Sequence, residues 1–95
     1  MDKSFLPIGS IVLLKDATRK VVIVGYLVKE ASKEKYWDYL GAPYPLGVID
    51  PNKNLLFDRD QIDKIIFTGY SDEEGKKVID FLNDRDKENN GWFKI

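Results

Sequence analysis

Ninety-five residues suffice for one small hydrophobic core and are too few for two ordinary domains joined by a linker. Histidine and cysteine are both absent, which removes imidazole acid-base chemistry, thiolate nucleophiles and disulfides, and fits a cytoplasmic protein. The formal net charge is −1, and the one small basic group, Lys15, Arg19 and Lys20 around a turn, falls short of the stripe that a nucleic-acid module sets against phosphates.

The longest apolar run, Val21 to Val24, is far below membrane-spanning length, and the N-terminus has no apolar stretch long enough for a signal peptide. No membrane insertion is expected. Export by an apparatus that reads a folded protein leaves no such signal, so that route stays open.

Leu6-Pro7-Ile8-Gly9-Ser10 reads as a rigid turn leading into a strand at Ile11-Val12-Leu13-Leu14. After a short connection, Lys20 to Val28 forms the longest strand. Val22, Val24, Tyr26 and Val28 lie on one of its faces and Val21, Ile23 and Leu27 on the other. Apolar residues on both faces predict a central strand covered on each side, and Gly25 inside it predicts a bulge. Lys29 to Lys35 is a polar loop.

The following segment, Tyr36-Trp37-Asp38-Tyr39-Leu40-Gly41-Ala42-Pro43-Tyr44-Pro45-Leu46-Gly47, concentrates aromatic, proline and glycine residues. A strand from about Lys35 to Gly41 puts Tyr36, Asp38 and Leu40 on one side and Trp37 and Tyr39 on the other. Pro43 and Pro45 place Tyr44 on an edge, turn or exposed loop. Gly47-Val48-Ile49 resumes as a short strand, and Asp50-Pro51-Asn52-Lys53-Asn54 is a turn. Leu55-Leu56-Phe57 is a further short strand, Asp58 to Gln61 a turn or single helical turn, and Ile62 to Gly69 a return to the sheet.

The period then changes to that of a helix, from about Asp72 to Arg85, the helical region being 71–86. Ser71-Asp72-Glu73-Glu74 matches a capping box, with Ser71 as cap. Val78, Ile79 and Leu82 form its buried stripe, widened by Phe81. Residues 87–95 make a polar hinge and an apolar tail, whose Trp92 and Phe93 either dock on the body or contact a partner. The fold class is α+β: a strongly curved, mainly antiparallel small sheet, or an SH3-like partial barrel, with one C-terminal helix in a single domain.

Catalytic groups are scarce. Asp58, Asp60 and Asp63, and Asp84, Asp86 and Glu88, lack the spacing of a calcium loop and read as solvated or capping residues. Serines and threonines have no histidine to activate them, and the glycines form no phosphate-binding loop. The chain reads as a non-enzyme without cofactor or metal. Contact with another protein is the better use of the aromatic segment: Trp37 and Tyr39 suit the sheet core, while Tyr44-Pro45-Leu46 suits presentation. The candidate contact residues are Tyr36, Trp37, Tyr39, Tyr44, Pro45, Leu46, Trp92 and Phe93. Tyr70 and Glu74 also fit a tyrosine-then-acid spacing that resembles bacterial type VII export signals. The same residues serve equally as the approach to a helix cap, the reading favoured here because no helical hairpin precedes them.

Taken in order, Leu6 to Lys15, Val22 to Gly25, Tyr39-Leu40-Gly41, Tyr44-Pro45-Leu46-Gly47, Leu56-Phe57, Ile62, Ile65, Phe67, Gly69 and Tyr70 resemble the domain-of-unknown-function family 4176 (DUF4176) over about residues 6–82. Members are small proteins of Gram-positive bacteria, often encoded beside type VII secretion genes and toxins with an LXG domain. The resemblance implies a cytoplasmic chaperone or targeting factor whose partner is a cognate LXG-type toxin. An immunity-like or structural protein that binds a toxin or secretion component is the alternative, and a homodimer using the same surface stays open. The resemblance carries over no catalytic residue.

Overall fold

The computed structural model describes residues 4–29 and 36–89. Five strands form one antiparallel sheet: β1 (Ile11–Leu14), β2 (Lys20–Lys29), β3 (Tyr36–Pro43), β4 (Leu55–Phe57) and β5 (Ile62–Phe67), in the order β4-β3-β2-β1-β5. One helix, α1 (Glu73–Asn89), follows. β2 is central, as its doubly apolar pattern predicts, but the expected cover on its second face is corrected: Val24 there is exposed. Because β4 and β5 occupy opposite edges, the sheet does not close, and the partial-barrel alternative is not formed. The polar loop at 30–35 and the tail with Trp92 and Phe93 lie outside the described residues.

The ladder between β2 and β3 slips by one residue between Ile23 and Gly25, the bulge that Gly25 predicts. One extra residue inverts every later side chain. The simple alternation that groups Tyr26 with Val22 and Val24 is therefore wrong: past the bulge Tyr26 pairs with Tyr39 and packs against the core that holds Val21 and Ile23. Tyr26, Phe5 and Phe57 each approach the Tyr39 ring, with centroids 6.1, 5.6 and 5.3 Å away.

Two tyrosine hydroxyls fasten the N-terminal segment over this cluster. The Leu6 N–H donates to the Tyr39 oxygen at 2.8 Å, and the Tyr26 hydroxyl donates to the Leu6 carbonyl. Ser10, wholly buried, forms the next fastening: its hydroxyl donates to the Pro7 carbonyl at 2.7 Å and accepts from the Gly69 N–H at 2.9 Å. Gly69 has to be glycine, since a Cβ there would lie 2.3 Å from the Ile8 carbonyl oxygen.

α1 covers the same face through Ile79 and Leu82, and Asn83 accepts from the Phe5 N–H at 3.0 Å while donating to the Ser4 hydroxyl. The expected stripe is corrected at two positions: Val78 and Phe81 are exposed. At 3.6 residues per turn Phe81 sits about 200° round from Ile79, so a face built on Ile79, Leu82 and Asn83 turns it outward. The cap moves by one residue. Asp72, not Ser71, accepts from the third helical N–H, that of Gly75, at 2.9 Å. The helix continues to Asn89, so 87–89 belong to it rather than to a hinge.

Candidate protein-interaction surface

β3 stops at Pro43, which has no N–H for a further ladder bond. The connection that follows, residues 44–54, is pinned by its backbone. Tyr44 N–H donates to the Lys20 carbonyl at 3.1 Å, and Gly47 N–H closes a turn onto the Pro43 carbonyl at 2.7 Å. The Tyr44–Pro45 peptide is cis, and Gly47 holds a positive φ of 79°. Pro51–Lys53 is a 3-10 turn capped by Asp50, whose carboxylate accepts from Asn52 N–H at 3.0 Å.

Pinned at these points, the connection turns its apolar side chains outward. Leu46 and Ile49 are each 62% exposed, and Tyr44, Val48 and the adjoining Leu55 are exposed too. The strand expected at Gly47 to Ile49 is absent: residues 48 and 49 take no regular structure, and β3 pairs with β4 only through Leu55–Phe57. That correction adds Val48 and Ile49 to the surface. The Lys20 ammonium stands 5.7 Å from the centre of the Tyr44 ring, within cation–π reach.

The remaining candidates separate. Tyr36 and Trp37 are half-buried at the opposite end of β3, across from Lys29 and Val28, about 24 Å of strand from Pro43. Tyr39 is completely buried, which corrects its place among contact residues. Desolvation pushes its phenol well above the ordinary tyrosine range, with the Leu6 N–H opposing in part. Trp92 and Phe93 lie outside the described residues. Of the eight candidates the structure brings together Tyr44, Pro45 and Leu46, all exposed.

Two further apolar areas escaped the sequence reading. On the edge strand β5, Ile65, Ile66 and Phe67 are exposed. Beside the N-terminal turn a hollow of about 160 Å³ is lined by Pro7, Ile8, Tyr26, Tyr70, Val78 and Ile79. Tyr70 is 82% exposed and its hydroxyl donates to Asp72 at 3.2 Å. The tyrosine-then-acid spacing thus lies at the start of α1, with Asp72 as the acid bonded to Tyr70.

Two carboxylates, Asp58 and Asp38, have structural partners. Asp58 accepts from the Asp38 N–H at 3.0 Å, and Asp38 pairs with Arg59. Among the described residues no group of three or more acidic, histidine or cysteine side chains could hold a metal ion, and no helix is long and apolar enough to cross a membrane. The model of the family described as a domain of unknown function, DUF4176, matches residues 5–78. No curated protein and no solved structure matches the chain.

Proposed function

We propose, from the premise that this chain belongs to the DUF4176 family, that it is a non-catalytic protein-binding accessory factor, a chaperone or targeting factor for an LXG-type toxin of a type VII secretion system. The observation that carries the protein-binding part is the pinned connection between β3 and β4. A small domain rarely leaves several large apolar side chains exposed on one short segment that is pinned to the body at Tyr44 and closed by turns at Gly47 and Lys53. Ordering such a segment before binding lowers the entropic cost of association. The toxin as partner rests on the family resemblance read from the ordered motifs.

Co-expression with the neighbouring toxin gene, followed by size-exclusion chromatography and mass measurement, tests the reading. A stable stoichiometric complex is expected, together with loss of toxin export when this chain is deleted, even for a catalytically dead toxin. Failure to co-elute would overturn it. Rescue of intoxicated cells without any effect on export would instead favour the immunity-like alternative.

A further inference from the structure

Three surfaces compete as docking sites: the β5 edge, the hollow beside Tyr70, and the β3–β4 connection. β5 is poorly suited to receive another strand. It advances two residues where β1 advances one, between Ile62 and Lys64 and again between Ile65 and Phe67, and such bulges break the regular row of edge donors and acceptors. At the hollow, nothing in its lining selects one occupant over another. The β3–β4 connection differs because it has a charge character of its own.

Tyr44 is tied to Lys20 twice, through its backbone N–H and through its ring. Lys20 begins β2 opposite Leu13, and the next residue, Val21, lies opposite Pro43, so the turn with Lys15, Asp16 and Arg19 lies at this same end of the sheet, as does Lys53 ahead of Leu55. The side chains of Lys15, Asp16, Arg19, Lys20 and Lys53 are exposed. Three cations, Arg19, Lys20 and Lys53, thus stand nearest the apolar connection along the sheet, against Asp16 and Asp50, while Lys15 lies one strand further off, toward Asp60 and Asp63 at the start of β5. The Asp50 carboxylate is already engaged by the Asn52 N–H.

We propose that Tyr44, Leu46, Val48, Ile49 and Leu55, rimmed by Lys20 and its basic turn, form a docking site for a partner segment whose apolar side chains are flanked by aspartate or glutamate. The apolar residues supply affinity and the cations supply orientation and choice of partner. This deepens the accessory-factor reading and rests on it for the partner's identity, not for the recognition chemistry. Each exposed ion pair favours an acid-flanked segment by roughly 1.5- to 5-fold, so several together separate acidic from basic flanks by about tenfold.

The test uses the full chain, uniformly labelled with nitrogen-15, and three short synthetic peptides: leucines and a phenylalanine flanked by glutamates, the same flanked by lysines, and the glutamate form with its apolar residues replaced by alanine. Saturable amide shifts at Leu46, Val48 and Ile49 are expected with the first peptide, binding about tenfold weaker with the second, and none with the third. Raising the salt to about 0.5 M should erase the preference. The double variant Arg19→Glu with Lys20→Glu should reverse it.

Equal binding of acidic and basic peptides, shifts confined to Ile65–Phe67 or to the Tyr70 hollow, no saturable binding, or self-association through these amides would each overturn the proposal. The double variant Leu46→Glu with Ile49→Glu, checked for an unchanged amide spectrum away from the connection, separates the two levels. If it still co-elutes with the toxin as the wild type does, this site is wrong and the accessory reading stands. If the wild type never co-elutes, the accessory reading fails while the peptides still decide the chemistry of the site.

Discussion

Asp38 Oδ2 accepts two hydrogen bonds from Arg59, one from the backbone N–H at 2.9 Å and one from Nε at 3.0 Å. Both side chains are about 15% exposed, and the Arg59 guanidinium carbon stands 4.3 Å from the centre of the Phe5 ring. The pair joins β3, the 3-10 turn after β4 and the N-terminal segment at one point.

Removing the carboxylate should therefore cost more than a surface ion pair would. Asp38→Ala removes the acceptor shared by the Arg59 Nε and backbone N–H, with an expected loss of about 2–3 kcal/mol. Asp38→Asn retains an acceptor and should lose less. Urea unfolding of the two variants checks the order, and equal losses would mean that the charge adds nothing to the hydrogen bonds.

Burial raises the phenol of Tyr39, and less strongly that of Tyr26, above the ordinary value of about 10. A pKa raised on folding means that the unfolded chain loses its proton first. The stabilisation is thus complete below about pH 10 and falls as pH rises further, by up to about 1.4 kcal/mol per pH unit for each such group. Alkaline unfolding followed by phenolate absorbance should show the Tyr39 ring ionising only as the protein unfolds. Tyr39→Phe should reduce the alkaline slope while lowering stability near neutrality, because the Leu6 N–H loses its acceptor.

Asp72 has the opposite sign. Bonds from the Gly75 N–H and the Tyr70 hydroxyl hold its carboxyl below the usual range, so its contribution is present above the unfolded value of about 3.9 and is lost as pH falls through the folded one. At neutral pH Asp72→Ala should lower the melting temperature and Ser71→Ala should leave it nearly unchanged. As the pH falls through the folded value the Asp72→Ala difference should shrink. A larger effect from Ser71→Ala would restore the capping box one residue earlier.

At Gly69 even one methyl group is excluded, by backbone rather than by a side chain that can move. Gly69→Ala should push the β5–α1 junction away from Ile8 and Ser10, leaving the buried Ser10 hydroxyl without its donor. A loss of about 2–4 kcal/mol is expected, read as a melting temperature lower by at least about 8 °C for a domain of this size. A change within about 0.5 kcal/mol would show that this junction can shift freely.

Much of the fold was legible because its signals are local. β1 and β4 fall where Ile11-Val12-Leu13-Leu14 and Leu55-Leu56-Phe57 stand between glycine, proline, asparagine and aspartate, and Gly25 marked its bulge. The consequence of that bulge was not legible, since inverting Tyr26 into the core depends on which residue of β3 lies opposite. Alternation placed Asp38 beside Tyr36 and Leu40 but could not name its partner, Arg59, 21 residues away. Val48 and Ile49 read as a strand because their β-branched side chains suit one, yet no neighbouring strand receives them.

The sequence by itself determined an α+β domain without histidine or cysteine chemistry, the central place of β2, the late helix and the presentation of Tyr44-Pro45-Leu46 by proline-limited backbone. Propensity, period and φ restriction act within a few residues, so one chain segment suffices to read them. Only the tertiary structure decided that Tyr39 is wholly buried while Trp37, assigned to the core with it, is half-buried, that the apolar connection extends to Ile49 and Leu55, and that Lys20 lies against Tyr44. Those facts depend on register and on contacts between segments distant along the chain, where burial and charge are set by neighbours that no local pattern names.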